Sequence, residues 1–172
     1  VRKWTVAKWT AVACALVAAI GIVGPASAAP AERKLTGVWT LRVPNGPGLL
    51  DRDGSVGLGD PAAATRWRFV QTGARGDYLI RTDETLRGWT LPEAGPGAAV
   101  RVGPLNLLPT DPRTLRWTVH LSGSAAAAVI SVTINSAVNG WPVVPGGDYD
   151  PHLVVVPETF APVTYLATKV SN

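Results

Sequence analysis

Any chemistry in this chain has to come from two histidines, twelve carboxylates and scattered hydroxyls. His120 lies on the polar side of the alternating segment LRWTVHL (115–121), and His152 follows Asp150-Pro151. No G-x-S-x-G turn is there to raise a serine nucleophile. Neither histidine is accompanied by the nucleophile and orienting carboxylate that acyl transfer needs, so no catalytic residue is assigned. Gly54, Gly57 and Gly59, like Gly95 and Gly97, do not open a helix, which a phosphate loop requires. Asp51-Arg52-Asp53-Gly54 starts like a calcium loop, but the ligands that should follow at regular spacing are missing. No metal and no cofactor is expected. Two binding constellations remain. Leu50, Asp51, Arg52 and Asp53 lie in an excursion over 45–60 between Gly/Pro hinges, where an exposed Arg52 would suit an acidic pocket. Trp141 with Asp148, Tyr149 and Asp150 offers rings for stacking beside carboxylates that accept sugar hydroxyls.

The elements that must position these residues begin after an export signal. Arg2, Lys3 and Lys8 precede an apolar run over 11–23, and Ala26-Ser27-Ala28 follows Gly24-Pro25. A basic start, a short apolar run and an A-x-A triplet are the parts of a cleavable secretory signal. The expected organisation is a signal over 1–28, a flexible lead-in over 29–36 and one domain over 37–172. The apolar run is too short to span a bilayer, so no membrane partner is expected after cleavage. Removing the three basic residues of the signal leaves 13 basic against 12 acidic residues. That balance excludes the electrostatic footprint of a nucleic-acid binder. The only cysteine, Cys14, lies in the signal, so packing alone must hold the domain. Four lysines against twelve arginines, with abundant Ala, Gly and Pro, fit a GC-rich bacterial genome.

Beyond the signal no helical period is sustained. Short β-branched and aromatic segments stand between Gly/Pro turns: 38–43, 67–70, 77–81, 89–91, 99–102, 115–121, 129–135, 152–156 and 164–170. Asp60-Pro61-Ala62-Ala63-Ala64 reads as a single helical turn with Asp60 as N-cap. An internal repeat is visible. Trp67 and Trp117 are 50 residues apart in matching contexts, and Tyr165 falls where a third closing aromatic belongs. Gly88-Trp89-Thr90-Leu91 matches Gly140-Trp141-Pro142-Val143 at a spacing of 52. Trp39 matches either Tyr78 as an opening strand or, through the shared Trp-Thr-Leu and an equal span of 28 residues to the next closing Trp, Trp89; the first match is preferred because the second leaves too little chain ahead of Trp39 for a strand. Three units of four strands predict an all-β fold, a β-trefoil whose barrel closure removes sheet edges, with a β-sandwich as the alternative. Most tryptophans are then core, and Trp89 and Trp141, following Gly and preceding turns, are the two most open to partial exposure.

The segments LTGVWTLRV (35–43), GDYLIRT (76–82) and LRGWTLPEAGPGAAVRVGPLNLLPTDPRTLRWTV (86–119) resemble the fungal β-trefoil peptidase inhibitors of the cospin type. Those proteins combine a G-x-Y-x-I opening strand, a G-W segment, a V-x-x-x-P-L strand and a closing W-x-[IV] strand. The resemblance implies a monomeric, non-enzymatic inhibitor of an extracellular serine peptidase, acting through a surface loop. A preformed extended loop loses little entropy on binding a cleft, and 50–53 is the candidate. A fainter likeness is to ricin-type lectins, whose Q-x-W motif is replaced here by Thr65-Arg66-Trp67 and Leu115-Arg116-Trp117. That likeness implies a glycan partner, with the Trp141 cluster as its site. A third expectation is an extracellular interaction protein with no small ligand.

Overall fold

The computed structural model describes residues 34–73, 76–105, 111–123, 127–147 and 151–171. The expected signal over 1–28 lies outside them. Twelve strands run through the described residues in three groups of four. The first group is β1 (Val38–Arg42), β2 (Gly48–Arg52), β3 (Ser55–Gly59) and β4 (Trp67–Gln71). The second is β5 (Asp77–Thr82), β6 (Arg87–Thr90), β7 (Arg101–Pro104) and β8 (Trp117–Ser122). The third is β9 (Val129–Ser136), β10 (Val143–Pro145), β11 (Leu153–Val155) and β12 (Tyr165–Ser171).

The first and fourth strands of each group form a closed antiparallel ring, in the order β1-β4-β5-β8-β9-β12 and back to β1. The middle strands pair as three hairpins, β2–β3, β6–β7 and β10–β11. Through β2–β3 and β6–β7 a wider closed path of nine strands also exists. The hairpins touch one another at Ser55↔Arg101, Gly57↔His152 and Ala99↔Val154. The protein is thus all-β, with a closed, trefoil-like barrel and no disulfide among the described residues.

Register makes the three groups comparable residue by residue. Trp39 pairs with Trp67, and Tyr78 pairs with Trp117, so Trp39 matches Tyr78, the preferred of the two matches. Trp67, Trp117 and Tyr165 each open the closing strand of their group. The first contacts of the hairpins are Arg42↔Gly48, Arg81↔Gly88 and Asn135↔Pro142. Leu49, Trp89 and Val143 are therefore equivalent. The Trp89–Trp141 match in the sequence is out of register by two, and Trp141 corresponds to Arg87. Repeated Gly-Trp dipeptides misled because the third group places its glycine inside the turn before the hairpin, not at the pairing position. Gly88 itself is needed for close approach, since a Cβ there would lie 2.4 Å from the Ile80 carbonyl oxygen.

The core is one cluster at the centre of the ring. Trp67, Trp89 and Trp117 are buried, with Trp89 edge-to-face against both others at 5.6 Å. Each such pair adds about 0.5–1.5 kcal/mol beyond area burial. Of the two tryptophans most open to exposure, Trp89 is fully buried, since as the first inward residue of its hairpin it packs against the Trp67 and Trp117 rings, and Trp141 is half-buried. Trp117 Nε1 donates to the Trp89 carbonyl at 3.2 Å, and Tyr165 Oη donates to the Val143 carbonyl at 3.0 Å. Equivalent residues thus make the same bond in the second and third groups. Burial pushes the Tyr165 hydroxyl's pKa above its ordinary value.

Two further expectations are corrected. Leu35, placed in the lead-in, is buried, and its N–H donates to Tyr78 Oη at 3.1 Å. The excursion over 45–60 is mostly the hairpin β2–β3, closed by Asp53 (φ 52) and Gly54 (φ 78). Two left-handed residues between paired Arg52 and Ser55 make a type I′ turn, for which Asp-Gly is a preferred pair.

Candidate functional site

The described residues enclose a polar groove of about 510 Å³ where the first and second groups meet. Its walls come from β2, the segment entering β4, and the turn between β5 and β6. The Asp60 side chain accepts from the Ala62 N–H at 2.9 Å, capping the 3₁₀ turn Pro61–Ala63 as the sequence predicts. That turn packs on Gly48, where a Cβ would lie 2.9 Å from Pro61 Cα. The chain leaves it through Ala64, Thr65 and Arg66 along the groove. The Thr65 N–H donates to the Leu49 carbonyl at 3.0 Å, and the Thr65 hydroxyl accepts from the Asp51 N–H at 2.8 Å. These bonds hold β2 against the entry to β4.

The opposite wall is the turn over 82–87. Thr82 is nearly buried, and its hydroxyl meets the Thr85 hydroxyl and the carbonyls of Thr85 and Arg87. The Arg87 N–H donates to Thr85 Oγ1 at 3.2 Å. The Asp83 N–H donates to the Arg66 carbonyl at 3.0 Å, tying the two walls together. Every one of these bonds is local to the turn or joins it to a strand end, so the groove is built before any ligand arrives.

Charge in the groove is mostly paired. Arg87 Nη1 lies 3.2 Å from Asp51 Oδ2, while its Nη2 donates to the Val102 carbonyl at 2.8 Å. Arg68, on β4, donates to Asp83 Oδ1 through Nη2 at 2.7 Å and Nε at 3.2 Å. Arg66, Glu84 and Thr85 are exposed along the rim. The groove therefore presents carboxylate oxygens held in place, hydroxyls and a guanidinium. That set can accept and donate hydrogen bonds to a ligand rich in hydroxyls.

The expected site residues fall in different places. Asp51 lies in the groove wall. Leu50 is half-buried over Gly59, while Arg52 and Asp53 are exposed at the hairpin end. Leu50, Asp51 and Arg52 are thus paired in β2 and Asp53 sits in the turn, so a hairpin end stands where a free loop was expected, because Asp53-Gly54 supplies the turn. Trp141 stands in the turn before β10, where its N–H donates to Asn139 Oδ1 at 3.1 Å. Asp148, Tyr149 and Asp150 lie outside the described residues. Sequence reasoning missed Thr65, Arg66, Asp83, Glu84, Thr85 and Arg87. The available signal was the polar run Asp83-Glu84-Thr85 between two strands, and its partners are 15 or more residues away.

No protein-family model matches the chain, and no curated protein sequence matches it. Solved structures do resemble it. A salivary protein from Culex quiquefasciatus, of the Cysteine and Tryptophan-Rich family, matches with a TM-score of 0.60 and 14% identity over 81% of this chain and 98% of its own. The designed threefold-symmetric protein ThreeFoil matches with a TM-score of 0.55 and 10% identity over 78% and 99%. A Polyporus squamosus lectin, bound to the epitope Neu5Acα2-6Galβ1-4GlcNAc, matches with a TM-score of 0.57 and 15% identity over 78% of this chain. The present chain spans about half, 49%, of that lectin chain. At such identities the likeness is one of fold.

Proposed function

We propose that the protein is a secreted, non-catalytic β-trefoil module that binds carbohydrate in the groove between its first and second repeats. The observation that carries this reading is the preformed polar groove. Sites for small ligands are largely preformed concavities with a few fixed polar groups. This one offers Asp51 and Asp83, each immobilised by an arginine, beside Thr65 and Thr85. Fixed carboxylates accept from hydroxyl groups more strongly than neutral oxygens do. The threefold order of strands, the shared register and the lectin among the structural neighbours support the reading.

The peptidase-inhibitor reading has less support. Residues 50–52 are paired in a hairpin whose turn holds Asp53, and Asp51 is turned into the groove against Arg87. A glycan array probed with the protein and with Asp51→Ala is the test. Binding to a defined glycan subset, lost in the variant, is the expected result. No binding to any glycan, together with tight inhibition of a serine peptidase that Arg52→Ala removes, would overturn the reading in favour of an inhibitor.

A further inference from the structure

The charges lining the groove narrow its ligand. Asp51 is neutralised by Arg87 and Asp83 by Arg68. Arg87 is further held by the Val102 carbonyl. Among the described residues this leaves two lining charges without a partner, the exposed Arg66 guanidinium and the exposed Glu84 carboxylate. The Arg66 backbone is fixed at the wall by the bond from the Asp83 N–H to its carbonyl, so the guanidinium is tethered at one place on the rim. No aromatic side chain is among the groove-lining residues. Stacking on a sugar face, a main source of affinity for neutral pyranoses, is therefore not what this groove offers.

Resting on the carbohydrate reading, we infer that the groove selects saccharides carrying a single carboxylate, of the uronic- or sialic-acid class, with Arg66 as the specificity residue. An arginine fork recognises a carboxylate through two parallel charge-assisted bonds. Asp51 and Asp83 accept from the hydroxyls of the same sugar. With Asp51 and Asp83 already neutralised, the groove offers one free guanidinium beside the Glu84 carboxylate, which suits a ligand with a single anionic group and gives polysulfated chains no further cation. The Glu84 carboxylate on the same groove opposes the ligand carboxylate, so it limits affinity for the acid.

The test is calorimetric titration of the protein with a glucuronate-terminated and a sialate-terminated oligosaccharide, the methyl ester of each, and a sulfated counterpart. The acids bind on the order of tenfold tighter than their esters, as expected for one charged hydrogen-bonded contact. Arg66→Ala removes that preference but retains binding of the ester, Arg66→Lys keeps part of the preference, and Glu84→Gln increases it. Circular dichroism confirms that these exposed-site variants remain folded. Equal affinity for acid and ester would overturn the acid selectivity while leaving carbohydrate binding intact. Tighter binding of the sulfated sugar would also overturn it. Absence of binding to all five sugars, in a protein that also fails on the glycan array, would overturn both readings.

Discussion

The junction between the first and second groups and the junction between the second and third are built on the same frame. Arg66 and Arg116 precede equivalent tryptophans, and the carbonyl of each accepts an N–H from the facing turn, Asp83 at 3.0 Å and Ala137 at 3.1 Å. A capped 3₁₀ turn stands before each, with Asp60 bonded to Ala62 and Asp111 to Arg113. What fills the frame differs. The first junction has Asp51, Asp83, Glu84 and Arg87 where the second has Leu91, Ala137, Val138 and Trp141. The second is also strapped, because Asn139 Nδ2 donates to the Ala94 carbonyl at 3.1 Å and its Oδ1 accepts from the Trp141 N–H. Trp141 and Val138 pack against the core there. One scaffold thus yields an open charged groove and a closed apolar seam. The difference lies in the residues of the turns and hairpin ends that line each junction.

The contrast can be broken most severely from beneath. Trp89 touches both neighbouring tryptophans, so Trp89→Ala should cost about 3–5 kcal/mol and loosen both junctions, measurable by urea denaturation. Gly88→Ala should cost about 1–3 kcal/mol through overpacking against the Ile80 carbonyl, and a variant as stable as the parent would contradict the close approach. At the surface, Asn139→Ala should destabilise by about 1 kcal/mol without creating a sugar site, since the walls there are apolar. Arg87→Ala should cost a similar amount, about 1 kcal/mol, but should abolish groove binding. Equal effects of these two on binding would erase the distinction between the junctions.

The smallest expected effect concerns Asp111. Hydrogen bonds from the side chain and backbone of Arg113 hold its carboxyl below the ordinary aspartate range. A depressed folded pKa contributes stability that is present above the unfolded value, about 3.9, and is lost as pH falls through the folded value. The Asp111 side chain is 34% exposed at the surface, so solvent screening keeps the effect small. Asp111→Asn should lower the Tm slightly at pH 6 and make less difference below pH 3, which thermal melts at the two pH values can check.

The barrel was legible in the sequence because its residues obey rules that act locally. Each of the nine segments expected as strands overlaps one, although 115–121 begins in a 3₁₀ turn and 99–102 reaches its strand only at Arg101, and Asp60-Pro61 marks its turn by capping chemistry. Trp67, Trp117 and Tyr165 were recognised as equivalent because large aromatics at one core position repeat with the fold. β2, β3 and β10 escaped notice, the first two because Gly48, Gly54, Gly57 and Gly59 dilute their pattern, the last because it spans three residues. Read correctly, Asp53-Gly54 is a hairpin signal, and reading it as a loop apex displaced the expected site. The groove was illegible for a different reason. Asp51 finds Arg87 between hairpins of different groups, and Asp83 finds Arg68 across the β4–β5 pair that joins two groups, so each contact depends on tertiary pairing. Polar residues in turns carry no period from which such pairing can be inferred.

The central claim is that the open junction, and not its closed counterpart, takes the sugar. Backbone amide shifts in an ¹⁵N-labelled sample, followed while a glycan identified on the array is titrated in, test it most directly. The account predicts shifts at Thr65, Arg66 and the turn over 83–87, with Asn139 and Trp141 unmoved. Shifts centred on Asn139 and Trp141, with the first junction silent, would contradict it.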